Sequence, residues 1–183
     1  MADIESRLFA AGIIVPGDYR FHGGDQANHH VDMELVANNP ELEDELVDEM
    51  TELVKAYSPD VLVGIPDGGT DWAQRVSDRA RLQTALLEKR PRPDGSNDFE
   101  FTSSRERDRV QRMGRLVIID DVATRLSTLE RVLQTPEILP KAVGFVAILN
   151  RGRPTDQREL RIARSYVVER YIPPILPADS PLW

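Results

Sequence analysis

The chain predicts an α/β fold with a mostly parallel central sheet flanked by helices, on three observations. Short apolar runs recur at 60–66 (DVLVGIP), 83–89 (QTALLEK), 115–120 (RLVIID) and 142–149 (AVGFVAIL). Segments of helical character separate most of them. Two runs end in turns dense in glycine, acid or hydroxyl groups, GIPDGG and DDVATRLST. Apolar runs of strand length with little polar alternation fit strands buried on both faces. In such sheets ligands bind outside the carboxyl ends of the strands, so both turns are expected to face one crevice.

Taken in order, the first element is a helix in ADIESRLFAAGII, where Ile4, Leu8 and Phe9 have helical spacing and Gly12 ends the run. The clearest helix lies in NNPELEDELVDEMTELVKAYSPD. Asn38 or Asn39 can cap it, Pro40 suits its first turn, acids crowd its first half and Lys55 comes near its end. Leu42, Leu46, Met50, Leu53 and Val54 share one face and are expected to pack on the sheet. Residues 60–66 form the first strand. A glycine turn and a helix through RVSDRARL come next, with Trp72 packed and the arginines on a solvated face. QTALLEK is the second strand.

Residues 91–112 are rich in Pro, Gly, Ser and charge and lack apolar periodicity, so they read as one long mobile loop, of a kind usually functional. RLVIID is the third strand, LSTLERVLQ a helix, AVGFVAIL the fourth strand and RSYVVERYI a further candidate strand. Residues 173–183 read as an irregular tail whose prolines and tryptophan suggest docking. No repeats occur, and 183 residues suit a single domain over 1–183.

Composition narrows the partners. The charge is −8, from 23 basic and 31 acidic residues, which argues against non-specific binding to nucleic acid or anionic lipid. Cysteine is absent, which excludes disulfides, thiolate metal sites and a cysteine nucleophile. The early acids do not resemble a secretory signal. No apolar run approaches the roughly 20 residues of a membrane helix. A cytoplasmic location is expected.

Chemistry concentrates at Asp120 and Asp121. Paired acids at a strand end suit vicinal sugar hydroxyls, or Mg²⁺ held through water and substrate oxygens. They equally suit a solvated strand end with capping aspartates. The next residues favour a ligand, because Thr124, Ser127 and Thr128 set hydroxyls and backbone N–H groups at a helix start, a natural phosphate site. His22, His29 and His30 cluster near Asp25 and Asp32, but their spacing fits no standard zinc site. No G-x-G-x-x-G comes after the first strand, which disfavours a dinucleotide binder.

VIIDDVATRLST resembles the diphosphoribosyl-binding signature of the type I phosphoribosyltransferases. Other segments resemble the orotate branch of that family, over roughly residues 15 to 155. DVLVGIPDGGTDWA looks like its strand and pyrophosphate loop, which makes Asp67, Gly68 and Gly69 candidate substrate-binding residues. In LLEKRPRPDG, Lys89 matches a pyrophosphate-binding lysine. Arg92 stands where a catalytic loop lysine is usual, and Asp94 where a histidine is common. FVAILNRGRP places Arg151 where an arginine grips the base carboxylate, and FHGGDQANHHVDMEL places His22 where a base-contacting lysine is usual.

The resemblance implies the type I phosphoribosyltransferase fold with a small hood from the N- and C-terminal segments. It implies an enzyme of nucleotide metabolism, in pyrimidine biosynthesis. The reaction would be Mg²⁺-dependent transfer of a phosphoribosyl group from phosphoribosyl pyrophosphate to a nucleobase, orotate above all. Asp120 and Asp121 would orient the ribose hydroxyls and share the Mg²⁺. Thr124, Arg125, Ser127 and Thr128 would hold the 5′-phosphate, and Lys89 and Arg92 would meet charge on the leaving pyrophosphate. A homodimer is also implied, with no nucleic-acid or membrane partner.

The departures define an alternative. Leu126 replaces a phosphate-loop glycine, and a leucine at positive φ costs on the order of 1–2 kcal/mol. Arg125 either compensates with a fork of donors or is solvated. Arg151 is either the carboxylate partner or a surface arginine. Neutral His22 offers one donor and no charge at pH 7, with Arg20 a nearby substitute. A catalytically impaired member that binds a nucleotide or phosphoribosyl pyrophosphate as a regulator is the second expectation.

Overall fold

Alternation within the apolar runs decides which face of the sheet each side chain joins. In the computed structural model, residues 3–20, 26–93, 95, 97–153 and 157–171 are described, without the side chains of 18–20 and 26–28. Six strands pair in the order β5-β4-β3-β6-β7-β8. They are β3 (Val61–Gly64), β4 (Gln83–Pro91), β5 (Asn97–Phe101), β6 (Leu116–Ala123), β7 (Ala142–Asn150) and β8 (Ala163–Glu169). All neighbours are parallel except β4 and β5. β1 (Ile14–Arg20) and β2 (Gln26–Val31) form a separate antiparallel pair.

Leu62, Val117, Ile119, Val146 and Ile148 join one core with α1 (Ile4–Ala10), α2 (Pro40–Lys55) and α3 (Gly68–Ala80). Their sequence neighbours Val61, Val63, Leu116, Ile118, Phe145 and Ala147 join the opposite core, with Val110 of α4 (Ser104–Arg112) and Leu129, Val132 and Leu133 of α5 (Ser127–Leu133). Successive side chains on a strand point to opposite faces, so an unbroken apolar run serves both layers.

The acid-rich α2 is explained by its surroundings. Asn39 caps it through Leu42 N–H at 3.2 Å, and its outer carboxylates meet the arginines of α3. Glu43 pairs with Arg75, and Asp44 and Asp48 with Arg79. Trp72, Ala73 and Val76 occupy the buried face of α3.

The reading of 91–112 as one long loop is corrected. Residues 97–101 form β5, whose Phe99 and Phe101 alternate into the core, and 104–112 form α4, capped by Ser103. Charge hid both elements, because β5 is an edge strand and α4 buries only Val110. The free edge of β4 beyond β5 is covered by α4 side chains. Glu106 accepts from Leu86 N–H at 3.3 Å, and Arg109 donates to the Thr84 carbonyl. Edge groups covered in this way cannot pair with another chain.

The N-terminal hairpin β1–β2 and a 3₁₀ turn (Met33–Asn38) lie where the sequence suggested a hood. The tail at 173–183, His22 and Asp94 lie outside the described residues.

Candidate active site

The crevice comes from topology. From β3 the chain passes through α3 to β4 on one side, and from β6 through α5 to β7 on the other. The loops leaving the two central strands therefore diverge, which is where parallel sheets bind ligands. β3 pairs with β6 only as far as Gly64–Ile119, whereas β6 continues against β7 through Ala123. Asp120 and Asp121 sit on this overhang.

Their adjacency now has a geometric reason. Asp120 continues the face of Leu116 and Ile118, and Asp121 that of Val117 and Ile119. On the Asp121 side, a methyl group on Gly68 would stand 2.1 Å from the Asp121 Oδ2. On the Asp120 side, Lys89 continues the Ala85 and Leu87 face of β4, opposite Phe99. One acid thus meets the glycine turn and the other the lysine. Both line a cavity of about 370 Å³ with Asp67, Gly68, Lys89, Ser127, Thr128 and Arg131.

The lysine is already oriented, since Lys89 Nζ lies 3.0 Å from Asp67 Oδ2. Asp120 Oδ1 accepts from the Asp121 N–H at 3.0 Å, and Asp121 Oδ1 from the Val122 N–H at 2.6 Å. Burial holds the Asp120 carboxyl well above the usual range; the charge of Asp121 adds to this and Lys89 partly offsets it. Burial and the second carboxylate therefore disfavour the charged form of Asp120, and a cation at this position would favour it.

Gly69 lies beneath the turn, where a methyl group would stand 2.3 Å from the Ile119 carbonyl oxygen. At the start of α5, Leu126 adopts φ 61° and ψ 15°, the left-handed conformation in which glycine is usual. Its side chain is buried in the core beneath α5, which offsets the strain. Leu126→Gly should relieve about 1–2 kcal/mol of strain and lose a buried side chain worth about 2–5 kcal/mol. Urea unfolding should therefore show a net loss of stability, and a gain would overturn this account.

Other expected residues stand apart from the cavity wall. Arg92 comes just after β4 and pairs with Asp98 at 3.0 Å. Thr124 and Arg125 are exposed in the turn before α5. Arg151 is buried just past β7, one strand over from β6, and burial lowers its pKa. His29 and Arg170 both pack on the Phe9 ring, Arg170 also pairs with Glu5, and burial with the charges of Arg170 and Arg151 lowers the His29 pKa. Among the described residues, no group of three or more His, Cys, Asp or Glu side chains could hold a metal ion.

Arg131, Phe99 and Asn97 also line the cavity, although the sequence does not single them out. Arg131 lies three and four residues beyond Thr128 and Ser127, on the same helix face, and that spacing is the available signal. Phe99 and Asn97 depend on the β4–β5 pairing and have none.

Comparison with known proteins agrees with this fold. The family model described as phosphoribosyl transferase domain matches residues 33–165. No curated protein sequence matches the chain. Among solved structures, orotate phosphoribosyltransferase from Aeropyrum pernix is similar with a TM-score of 0.68 at 16% identity, covering 91% of this chain and 93% of that one. Orotate phosphoribosyltransferase from Mycobacterium tuberculosis H37Rv gives 0.64 at 17% identity, covering 91% and 95%. Adenine phosphoribosyltransferase from Leishmania tarentolae gives 0.61 at 14% identity, covering 92% and 88%. With a family match over most of its length and both expected loops at one crevice, the chain belongs to the phosphoribosyl transferase domain family.

Proposed function

We propose that the protein catalyses Mg²⁺-dependent transfer of a phosphoribosyl group from phosphoribosyl pyrophosphate to orotate, releasing pyrophosphate. The observation that carries this reading is one cavity in which Asp120, Asp121, Lys89, Ser127 and Thr128 converge, with the buried Arg151 one strand away.

In the reaction a bond forms between the base nitrogen and ribose C1 while the C1–oxygen bond to pyrophosphate breaks. The protein has little covalent work to do; it positions groups and stabilises charge. Asp120 and Asp121 accept from the 2′ and 3′ hydroxyls, and Lys89, held by Asp67, faces the departing pyrophosphate. Ser127 and Thr128 donate to the 5′-phosphate. Arg151 pairs with the orotate carboxylate, and its buried charge favours an anionic base over an uncharged one.

The adjacent carboxylates of Asp120 and Asp121 fit Mg²⁺, which binds through one or two carboxylates plus substrate oxygens. When bound, Mg²⁺ would neutralise pyrophosphate charge. A cytoplasmic homodimer completes the proposal, and sedimentation of the purified protein tests the dimer.

Calorimetric titration with phosphoribosyl pyrophosphate and Mg²⁺ tests the site, followed by pyrophosphate release with orotate, uracil and adenine. Binding abolished in Asp120→Asn/Asp121→Asn, with release fastest for orotate, is the expected result. Binding without release from any base would sink the catalytic reading and favour a regulatory sensor. Arg131, facing the same phosphate, predicts a further result: Arg131→Gln should raise the KM for phosphoribosyl pyrophosphate by roughly 10–100-fold, as expected for loss of a charged hydrogen bond.

A further inference from the structure

The turn before α5 lacks glycine, yet it holds Leu126 at positive φ. Three successive carbonyls of this turn are bonded from the segment after β7. Ala123 O accepts from the Arg151 N–H at 2.9 Å and Arg125 O from the Arg158 N–H at 3.2 Å. Between them, Thr124 O accepts from Gln157 Nε2 at 3.1 Å. The same Nε2 donates to Asn150 Oδ1 at 2.6 Å, and Asn150 Oδ1 also accepts from the Gly152 N–H at 3.2 Å. The backbones touch here, since a methyl group on Gly152 would stand 2.0 Å from Thr124 O. Arg158 also pairs with Glu130 of α5 at 3.1 Å.

We propose that Gln157 and Asn150 form a positioning clamp that locks the turn before α5 to the backbone on either side of Arg151. Of these three bonds among the described residues, that from Gln157 comes from a side chain and the other two from backbone, so substitution can remove it without altering the chain path. Asn150 is buried at the end of β7, so the clamp is anchored in the sheet and not in the loop that it closes. A conformation held from outside in this way needs no glycine. Its role in transfer rests on the reading that the turn holds the 5′-phosphate and Arg151 the base carboxylate. The clamp then fixes the distance between the two ends of the substrate pair, and loosening it weakens both ends together.

The test compares wild type with Gln157→Leu and Gln157→Glu, neither of which can donate to Thr124 O. Amide hydrogen exchange is expected to quicken roughly tenfold both at 124–126 and at Arg151, with β3 unchanged, as for loss of about one or two hydrogen bonds. Steady-state kinetics are expected to show the KM values for phosphoribosyl pyrophosphate and orotate rising together by roughly tenfold, with kcat changed less. Unchanged exchange, or faster exchange at 124–126 with Arg151 still protected, would overturn the clamp. Wild type without turnover would defeat the catalytic reading, while the exchange comparison would still decide the clamp.

Discussion

Asp120→Asn is expected to raise stability while removing at least about 100-fold of the turnover, the scale of losing one group preorganised for the reacting state. The structural reason is the partly buried Asp120 carboxyl beside Asp121, whose pKa burial and the second charge raise above the ordinary 3.8. A group whose folded pKa lies above its unfolded one makes the folded state hold more protons between the two values. Stability therefore falls as pH rises through that window. Asparagine keeps an Oδ1 acceptor for the Asp121 amide and carries no charge, so it escapes the fall. In metal-free buffer at pH 7 to 8 the variant should melt higher, by roughly 2–4 °C for each kcal/mol regained. The advantage should vanish as pH is lowered towards 3.8, where both proteins are neutral at this position. A variant that melts no higher than wild type at pH 8 would contradict the electrostatic account, whatever its activity.

Gly69→Ala should damage both fold and function. Its methyl group would stand 2.3 Å from the Ile119 carbonyl oxygen and 2.9 Å from the Asp120 Cα, both backbone atoms of the central strand. Neither can turn aside as the end of a flexible side chain could. The turn must lift away from β6, at a cost of about 1–3 kcal/mol for overpacking. Because Asp67 and Gly68 share that turn, Lys89 loses its oriented partner and the cavity changes shape. A displacement near 1 Å in a positioned site costs roughly 100-fold in rate. Chemical unfolding and binding of phosphoribosyl pyrophosphate together check this. Wild-type stability with wild-type affinity would show that the turn has slack that this geometry denies it.

Much of the scaffold is legible because its signals are local. Four apolar runs become β3, β4, β6 and β7, since strands buried on both faces need continuous apolar sequence. The cap and amphipathic face of α2 are written within some twenty residues. Asp120, Asp121, Ser127 and Thr128 stand out because a strand end, its acids and the hydroxyls beyond them are adjacent in the chain. Asp67, Gly68 and Lys89 are reached by resemblance, and the structure brings them to the same cavity.

Other elements lack such signals. β5 is an edge strand, so charged residues on its outer positions mask Phe99 and Phe101. The hairpin β1–β2 owes its pairing to partners several residues apart through a segment without clear alternation. Spacing puts Arg131 on the helix face of Ser127 and Thr128, but periodicity tells which residues share a face and not what that face meets. The missing phosphate-loop glycine is visible in the sequence; what replaces it is not.

By itself, then, the sequence determined the strand runs, the main helices and the acid and hydroxyl turn of the candidate site, since each depends on residues within about one element of one another. Only the tertiary structure decided that β6 outreaches β3, that Asp120 and Asp121 face different neighbours, and that Gln157 holds a turn 33 residues earlier in the chain. Those properties arise from register and from contacts between segments distant in sequence. No local pattern encodes them, because each is settled by which surfaces must be buried together.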